Sequence, residues 1–311
     1  MESRLYVSSS PHIRSSETTQ KIMRDVTIAL LPAAAFGVYN FGLSALIVLV
    51  LSVLSAVAFE AFVQKLRKQP ITIDDFSAVV TGLLLGMNLP SSVPLWIPVV
   101  GSAFAILIVK QAFGGLGHNF MNPALAARAM LVASWPVQMT TWTAVKADAI
   151  TTATPLGIIK EGLAVDLPSL GDLLIGSVGG CIGETSALLL ILGGVFLIYR
   201  GIISIRIPGI YIGTVAILTL ILSGFDVNLT IINIFAGGLI LGAFFMATDY
   251  ASSPITAKGQ VIYAVGMGIL TTIIRFYGGY PEGVSYSILF MNVVAPIIDK
   301  YTKPRVFGGA K

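Results

Sequence analysis

Between Asp25 and Lys300 the sequence is a succession of apolar runs, each close to the roughly 20 residues with which an α-helix crosses hydrocarbon. That feature narrows the fold more than any other, because lipid offers no partners to backbone N–H and C=O groups. The runs continue along the whole length, so the chain is expected to be polytopic rather than an anchored soluble domain. Composition agrees: 55% of the 311 residues are hydrophobic and 11% are charged, against about 25% charged in an ordinary soluble domain. About two dozen polar residues precede the first run, which leads straight into further runs, and this argues against a cleaved signal peptide.

Ten spans are expected, at 26–42, 43–64, 75–90, 92–112, 123–139, 183–199, 202–223, 229–247, 260–276 and 283–299. The fold class is therefore all-α integral membrane. Residues 1–25 form a cytoplasmic tail, 26–139 a first transmembrane half, 140–182 a long loop, 183–299 a second half and 300–311 a second tail. With the N-terminus inside, fifteen Lys and Arg residues fall on inner segments; the outer loops hold only Lys146, Lys160 and Arg275, and Arg128 is left within a span. This positive-inside bias puts both termini in the cytoplasm and the 140–182 loop outside. It also accounts for the net charge of +4 without a nucleic-acid partner.

The string GLLLG at Gly82–Gly86 returns as GLILG at Gly238–Gly242. An offset of five spans reverses direction, so the halves are expected to form an inverted repeat with a binding site where they meet; short Gly/Leu strings also recur by chance in membrane helices. A lone Cys181 excludes intramolecular disulfides, CxxC pairs and an iron–sulfur cluster ligated by this chain alone. Two histidines, His12 and His118, do not make a histidine metal site.

The outer loop holds DAITTATPLG, residues 148–157. Thr and Pro favour turns, and Pro155 pushes Thr154 towards an extended backbone. A lone Thr hydroxyl is a weak nucleophile without an activating base, so no catalytic residue is assigned. What remains is a Thr that is exposed, extended and open to modification by another enzyme.

TTATPLG is similar to the S/T-x-A-T flavinylation motif of membrane flavoproteins, in which the last Thr is esterified through the phosphate of FMN. The likeness extends to GHNFMNPALAARAMLVASWP at 117–136, GGCIGETSALLLILGGVFLIYRG at 179–201, FFMATDYASSPIT at 244–256 and YPEGVSYSILFMN at 280–292. Together these resemble the family of D subunits of the Rnf electron-transport complex and, more distantly, the B subunits of the sodium-pumping NADH:quinone reductase. The short N-terminal tail favours the former. Thr151 stands where many relatives have Ser and Thr152 where many have Gly; neither is the acceptor, which maps to Thr154.

The resemblance implies an electron-carrying subunit of a prokaryotic cytoplasmic-membrane complex that passes electrons from reduced ferredoxin to NAD and exports Na+ or H+. It implies covalent FMN on Thr154, a second, non-covalent riboflavin near Asn119 and Asn122, an outer partner subunit with its own covalent FMN, and a flavin transferase for maturation. No residue points to direct binding of ferredoxin or NAD. Two rivals stand: a quinone-reducing B-type subunit, and a channel or transporter without redox function, for which denatured protein would carry no flavin fluorescence.

Asn119 and Asn122 cap the helix that Pro123 starts, or project into the bundle. Gly114, Gly115 and Gly117 suit a tight turn better than a phosphate loop, since neither a strand nor GxGxxG is present. Charges within spans cost about 2.5–3.5 kcal/mol on insertion scales, and Glu60, Arg128 and Glu184 within spans, with Asp249 just past the end of one, need a reason. Arg128 pairs with a carboxylate or a flavin phosphate, and Glu184, a further candidate for the ion path, sits at a hydrated span entrance. Glu60 and Asp249, near the inner ends of spans, take up ions or snorkel to water. Met291, Phe290 and Tyr286 read as packing ahead of flavin surroundings.

Overall fold

The computed structural model describes residues 17–143, 151–161 and 168–303, which are mostly helical. His12, Lys146, Arg305 and much of both tails and of the long loop lie outside those residues, as do the side chains of Thr151 and Thr152. Helix boundaries fall where local chemistry puts them. Thr18 accepts a hydrogen bond from the Lys21 amide at 3.3 Å and opens α1, Thr19–Phe41. Gly42, at φ 73°, makes the sharp turn into α2, Leu43–Leu66, a turn that a side chain would strain. Then follow α3 (Ser77–Met87), α4 (Trp96–Gln111, π-helical from Phe104), α5 (Pro123–Ser134) and α6 (Pro136–Thr140).

A two-residue antiparallel ribbon pairs β1, Trp142–Thr143, with β2, Thr151–Thr152. Two short helices, α7 (Pro155–Glu161) and α8 (Leu170–Ile175), complete the loop region. The second half contains α9 (Ala187–Tyr199), α10 (Arg206–Leu222), α11 (Val227–Phe235), α12 (Leu239–Met246, ending in π geometry), α13 (Ala257–Tyr277) and α14 (Val284–Thr302).

Every expected span has a helical counterpart, but their lengths differ from the expectation. Among the described residues α1, α2 and α13 are long and apolar enough to cross a membrane, and α3 has only 11 residues. The run 229–247 is not one helix: α11 and α12 meet at a 58° bend, with Gly237 at φ 69° in the break. GLLLG therefore lies inside α3, whereas GLILG starts at a break.

Packing follows small residues rather than apolarity, as expected where lipid is as apolar as Leu. On α2 the buried stripe is Ala45, Val48, Leu49, Ser52, Ser55, Ala56 and Glu60, while Leu54, Phe62 and Leu66 stay exposed. A Cβ on Gly82 would lie 2.7 Å from the Ser52 carbonyl, so glycine there is what lets α3 approach α2. One core runs through both halves, from Ala29 to Ile298. Polar contacts join segments expected on the same membrane side: Asp25 with Arg200, Ile255 with Asp299, and Asn40 with the Gly176 carbonyl.

Candidate functional site

Thr154 joins β2 to α7. Its Oγ1 accepts from the Gly157 N–H at 3.1 Å and its carbonyl accepts from Ile158 at 2.9 Å, so it caps the short helix. The side chain is only 8% exposed, which corrects the expectation of an open, exposed Thr. The cause is α7 itself. Leu156 packs with Leu173, Ile232 and Ala236, and Lys160 Nζ donates to the carbonyls of Gly278 and Tyr280 at the C-terminal end of α13.

Thr154 lines a cavity of about 620 Å³ with Trp142, Glu161, Arg128, Glu282 and Tyr286. Tyr280 and Tyr286 stack on its wall, ring centroids 5.4 Å apart at 28°. A Cβ on Gly157 would lie 3.2 Å from Thr154 Oγ1, so the glycine leaves that side of the hydroxyl open.

Arg128, 5% exposed on α5, gathers four groups. Nη1 donates to Asn88 Oδ1 at 2.9 Å and to Glu184 Oε1 at 3.3 Å; Nη2 reaches Glu282 Oε2 and, at 3.3 Å, Cys181 Sγ. The carboxylate reading of Arg128 holds in this structure. Glu184 is not at a hydrated entrance: it is 7% exposed, because the turn Ile182–Glu184 folds into the bundle against Arg128. Cys181, Glu184 and Glu282 offer ligand atoms within 4.8 Å of one another, but the Arg128 guanidinium already bonds all three.

Nearer the N-terminal end of α5 lies a second cavity, of about 380 Å³, lined by Asn119, Asn122, Lys110, Asp249, Phe244 and Phe245 among others. Asn122 Oδ1 accepts from the amides of Ala124 and Leu125 at 3.1 and 3.2 Å and so caps α5 while facing the cavity. Asn119 Nδ2 donates to Asp249 Oδ2 at 3.3 Å, and Ser252 Oγ donates to the same oxygen at 3.0 Å. Asp249 lies in the turn after α12, where burial raises its carboxyl above the ordinary value of 3.8 against the pull of these hydrogen bonds and of the Ala251 amide.

Glu60 does not snorkel. It is 1% exposed, paired with Lys110 Nζ at 2.8 Å and hydrogen-bonded by Gln111 Nε2 at 2.8 Å, and it lies behind Lys110 rather than on the cavity wall. The structure thus brings Asn119, Asn122 and Asp249 together at one cavity and Thr154 with Arg128 at the other. Gly114, Gly115 and Gly117 have φ values of 118°, 92° and 84°, as a tight turn requires. Met291 packs in the core and Phe290 is exposed, whereas Tyr286 faces the Thr154 cavity.

Sequence reasoning missed Lys110, Glu282 and Asn292. Asn292 Oδ1 accepts from the Asn122 amide at 3.2 Å, and its Nδ2 donates to the Ser252 carbonyl and the Tyr263 hydroxyl. A signal existed: the tripeptide Phe120-Met121-Asn122 recurs as Phe290-Met291-Asn292.

The family described as NQR2, RnfD, RnfE matches residues 6–308 of the chain. The D subunit of the Na(+)-translocating ferredoxin:NAD(+) oxidoreductase complex of Acetobacterium woodii is 59% identical over 313 residues, covering 100% of this chain and 97% of the relative. Its counterpart in the proton-translocating ferredoxin:NAD(+) oxidoreductase complex of Clostridium ljungdahlii is 51% identical, covering 97% and 96%. The D subunit of the ion-translocating oxidoreductase complex of Aliivibrio salmonicida is 36% identical, covering 98% and 99%. With a match that spans nearly its whole length and relatives this similar end to end, the chain belongs to the NQR2, RnfD, RnfE family.

Proposed function

We propose that this chain is the D-type membrane subunit of an ion-translocating ferredoxin:NAD oxidoreductase, carrying covalent FMN on Thr154 and riboflavin in the cavity beside Asn119 and Asn122. The carrying observation is that Thr154, the one threonine of the strip followed by proline, lines a cavity of about 620 Å³ walled by a stacked tyrosine pair. Pockets of about 300–1,000 Å³ with mostly apolar walls and a few placed polar groups suit ligands of flavin size. Gly157 leaves room beside the Thr154 oxygen, and Lys160 ties α7 to the carbonyls at the end of α13. The second cavity, about 380 Å³, combines phenylalanine walls with the amides of Asn119 and Asn122, groups able to meet the donor and acceptor edge of an uncharged flavin.

A bound flavin supplies one- and two-electron chemistry, and a covalent tether prevents its loss. The residues of this chain bind and orient it: Tyr280 and Tyr286 offer flat surfaces, Thr154 the anchor and Arg128 a fixed positive charge. Electron delivery from a neighbouring flavin subunit, and transfer onward to partners, complete the assignment, as do ten spans in two inverted halves with both termini in the cytoplasm of a prokaryote. The repeated polar turns Asn88-x-x-Ser91-Ser92 and Asp249-x-x-Ser252-Ser253 support the repeat, and the grouping of contacts by side supports the topology. A reporter active only outside should be active in the 140–182 loop and silent at the C-terminus.

The test of the flavin is direct. Protein co-produced with a flavin transferase should keep a fluorescent band on a denaturing gel, and Thr154→Ala should abolish it. A Thr154→Ala protein that keeps its fluorescence overturns the assignment.

A further inference from the structure

One buried cation is left with a donor unused. Arg275, 6% exposed, donates from Nε to the Glu282 carbonyl at 2.9 Å and from Nη1 to the Asn233 carbonyl, but its Nη2 has no partner among the described residues. Buried donors rarely stay unpaired, and one that does calls for an explanation. Its surroundings supply one. A Cβ built on Gly237, in the break between α11 and α12, would lie 3.6 Å from that Nη2 and 4.0 Å from Glu282 Cγ. The unused donor and the Glu282 side chain therefore flank the same glycine. Glu282 itself is 17% exposed, turns its carboxylate to Arg128 Nη2, and stands with Arg128 on the wall of the Thr154 cavity.

We propose that Glu282 is an exchangeable carboxylate that holds a phosphate subsite for Arg128: when a flavin phosphate enters the Thr154 cavity it takes Arg128 Nη2, and Glu282 turns to the unused Nη2 of Arg275. This rests on the flavin assignment to the Thr154 cavity and adds the group that recognises the phosphate. The exchange keeps both guanidinium groups paired in both arrangements, and Glu184, buried on Arg128 Nη1, stays in place as the permanent partner. A planar guanidinium is suited to a phosphate ester, whose oxygens accept charge-assisted hydrogen bonds. Among the described residues Lys160, also close to Thr154 in the chain, is spent on the carbonyls at the end of α13. Asn88 and Glu184 hold Nη1 and Cys181 takes one N–H of Nη2, which leaves the Nη2 N–H that meets Glu282 as the exchangeable donor.

The experiment compares FMN with riboflavin, which lacks the phosphate, for binding to the assembled complex carrying Thr154→Ala, where no ester can form. With the Asn119 and Asn122 cavity already filled with riboflavin, the ratio of the two affinities at the Thr154 cavity isolates the phosphate. FMN is expected to bind more tightly, and the advantage should fall by about tenfold or more in Arg128→Met, the range of a lost hydrogen bond to a charged group. It should rise in Glu282→Gln, which removes the competing carboxylate, and fall in Arg275→Met, although Arg275 does not line the cavity. A structural role for Arg275 would weaken both ligands alike and leave the ratio alone. A ratio unchanged in both Arg275→Met and Glu282→Gln overturns the proposal, and these two variants decide it even if Arg128→Met fails to assemble. Loss of binding of both flavins to Thr154→Ala protein with an otherwise intact complex overturns the flavin reading; retained binding of both with equal affinity overturns the phosphate subsite alone.

Discussion

Lys110 and Glu60 form an ion pair at 2.8 Å with side chains 2% and 1% exposed, joining residues fifty positions apart on α4 and α2. Ser77 at the start of α3 takes another Lys110 proton at 2.6 Å, so three helices meet on one ammonium. Removing one partner leaves a buried charge without compensation, at a cost of about 3–5 kcal/mol, whereas replacing both with apolar residues of similar volume is often close to neutral. Glu60→Gln or Lys110→Met should thus lower the thermal midpoint of the detergent-solubilised protein clearly, and the double change Glu60→Leu with Lys110→Met should recover most of it. A double variant as unstable as the sum of the singles would contradict a pair that acts mainly by mutual neutralisation.

Lys160 positions α7, the helix that follows Thr154. Its ammonium donates to the carbonyls of Gly278 and Tyr280, and no other charged group of α7 reaches α13 among the described contacts. Lys160→Met should speed amide exchange across Pro155–Glu161 and reduce covalent flavin loading several-fold without changing the amount of protein in the membrane. Normal loading in that variant would show that the apolar packing of Leu156 suffices.

Asp249 gives a pH signature. Its carboxyl titrates above the ordinary 3.8 because burial disfavours the anion. The folded state therefore binds the proton more tightly than the unfolded state. This contribution is fully present below 3.8 and is lost as pH rises through the higher folded value. Thermal midpoints measured from about pH 4 upwards should decline less steeply for Asp249→Asn than for the unmodified protein. Parallel curves would mean that the carboxylate is fully compensated by Asn119, Ser252 and Ala251.

The helices were legible because apolar runs of near-spanning length have few alternatives, and Asn122 caps the helix that Pro123 starts, as its place before a proline suggests. The break at Gly237 and Gly238 was not legible. GLILG has the composition of an unbroken membrane helix, and the charged side chains of Glu184, Arg128 and Arg275 that lie against those glycines come from distant parts of the chain. Lys110 counted as one more inner-side charge at the end of the span 92–112, since nothing local announces a partner fifty residues earlier. The Thr154 strip looked exposed because its own residues are polar; what buries it is Leu156 and Lys160, acting through α8, α11 and α13. Residue identity singled out Thr154, and long-range packing decided what surrounds it.

Whether Thr154 bears a phosphoester-linked FMN is tested most directly by mass spectrometry of the tryptic peptide spanning residues 147–160. Material from cells that contain a flavin transferase should show this peptide heavier by FMN minus water, with fragment ions placing the addition on Thr154 and not on Thr151 or Thr152. An unmodified peptide from fully assembled complex, or an addition placed on another threonine, would contradict the assignment of Thr154 as the flavin acceptor.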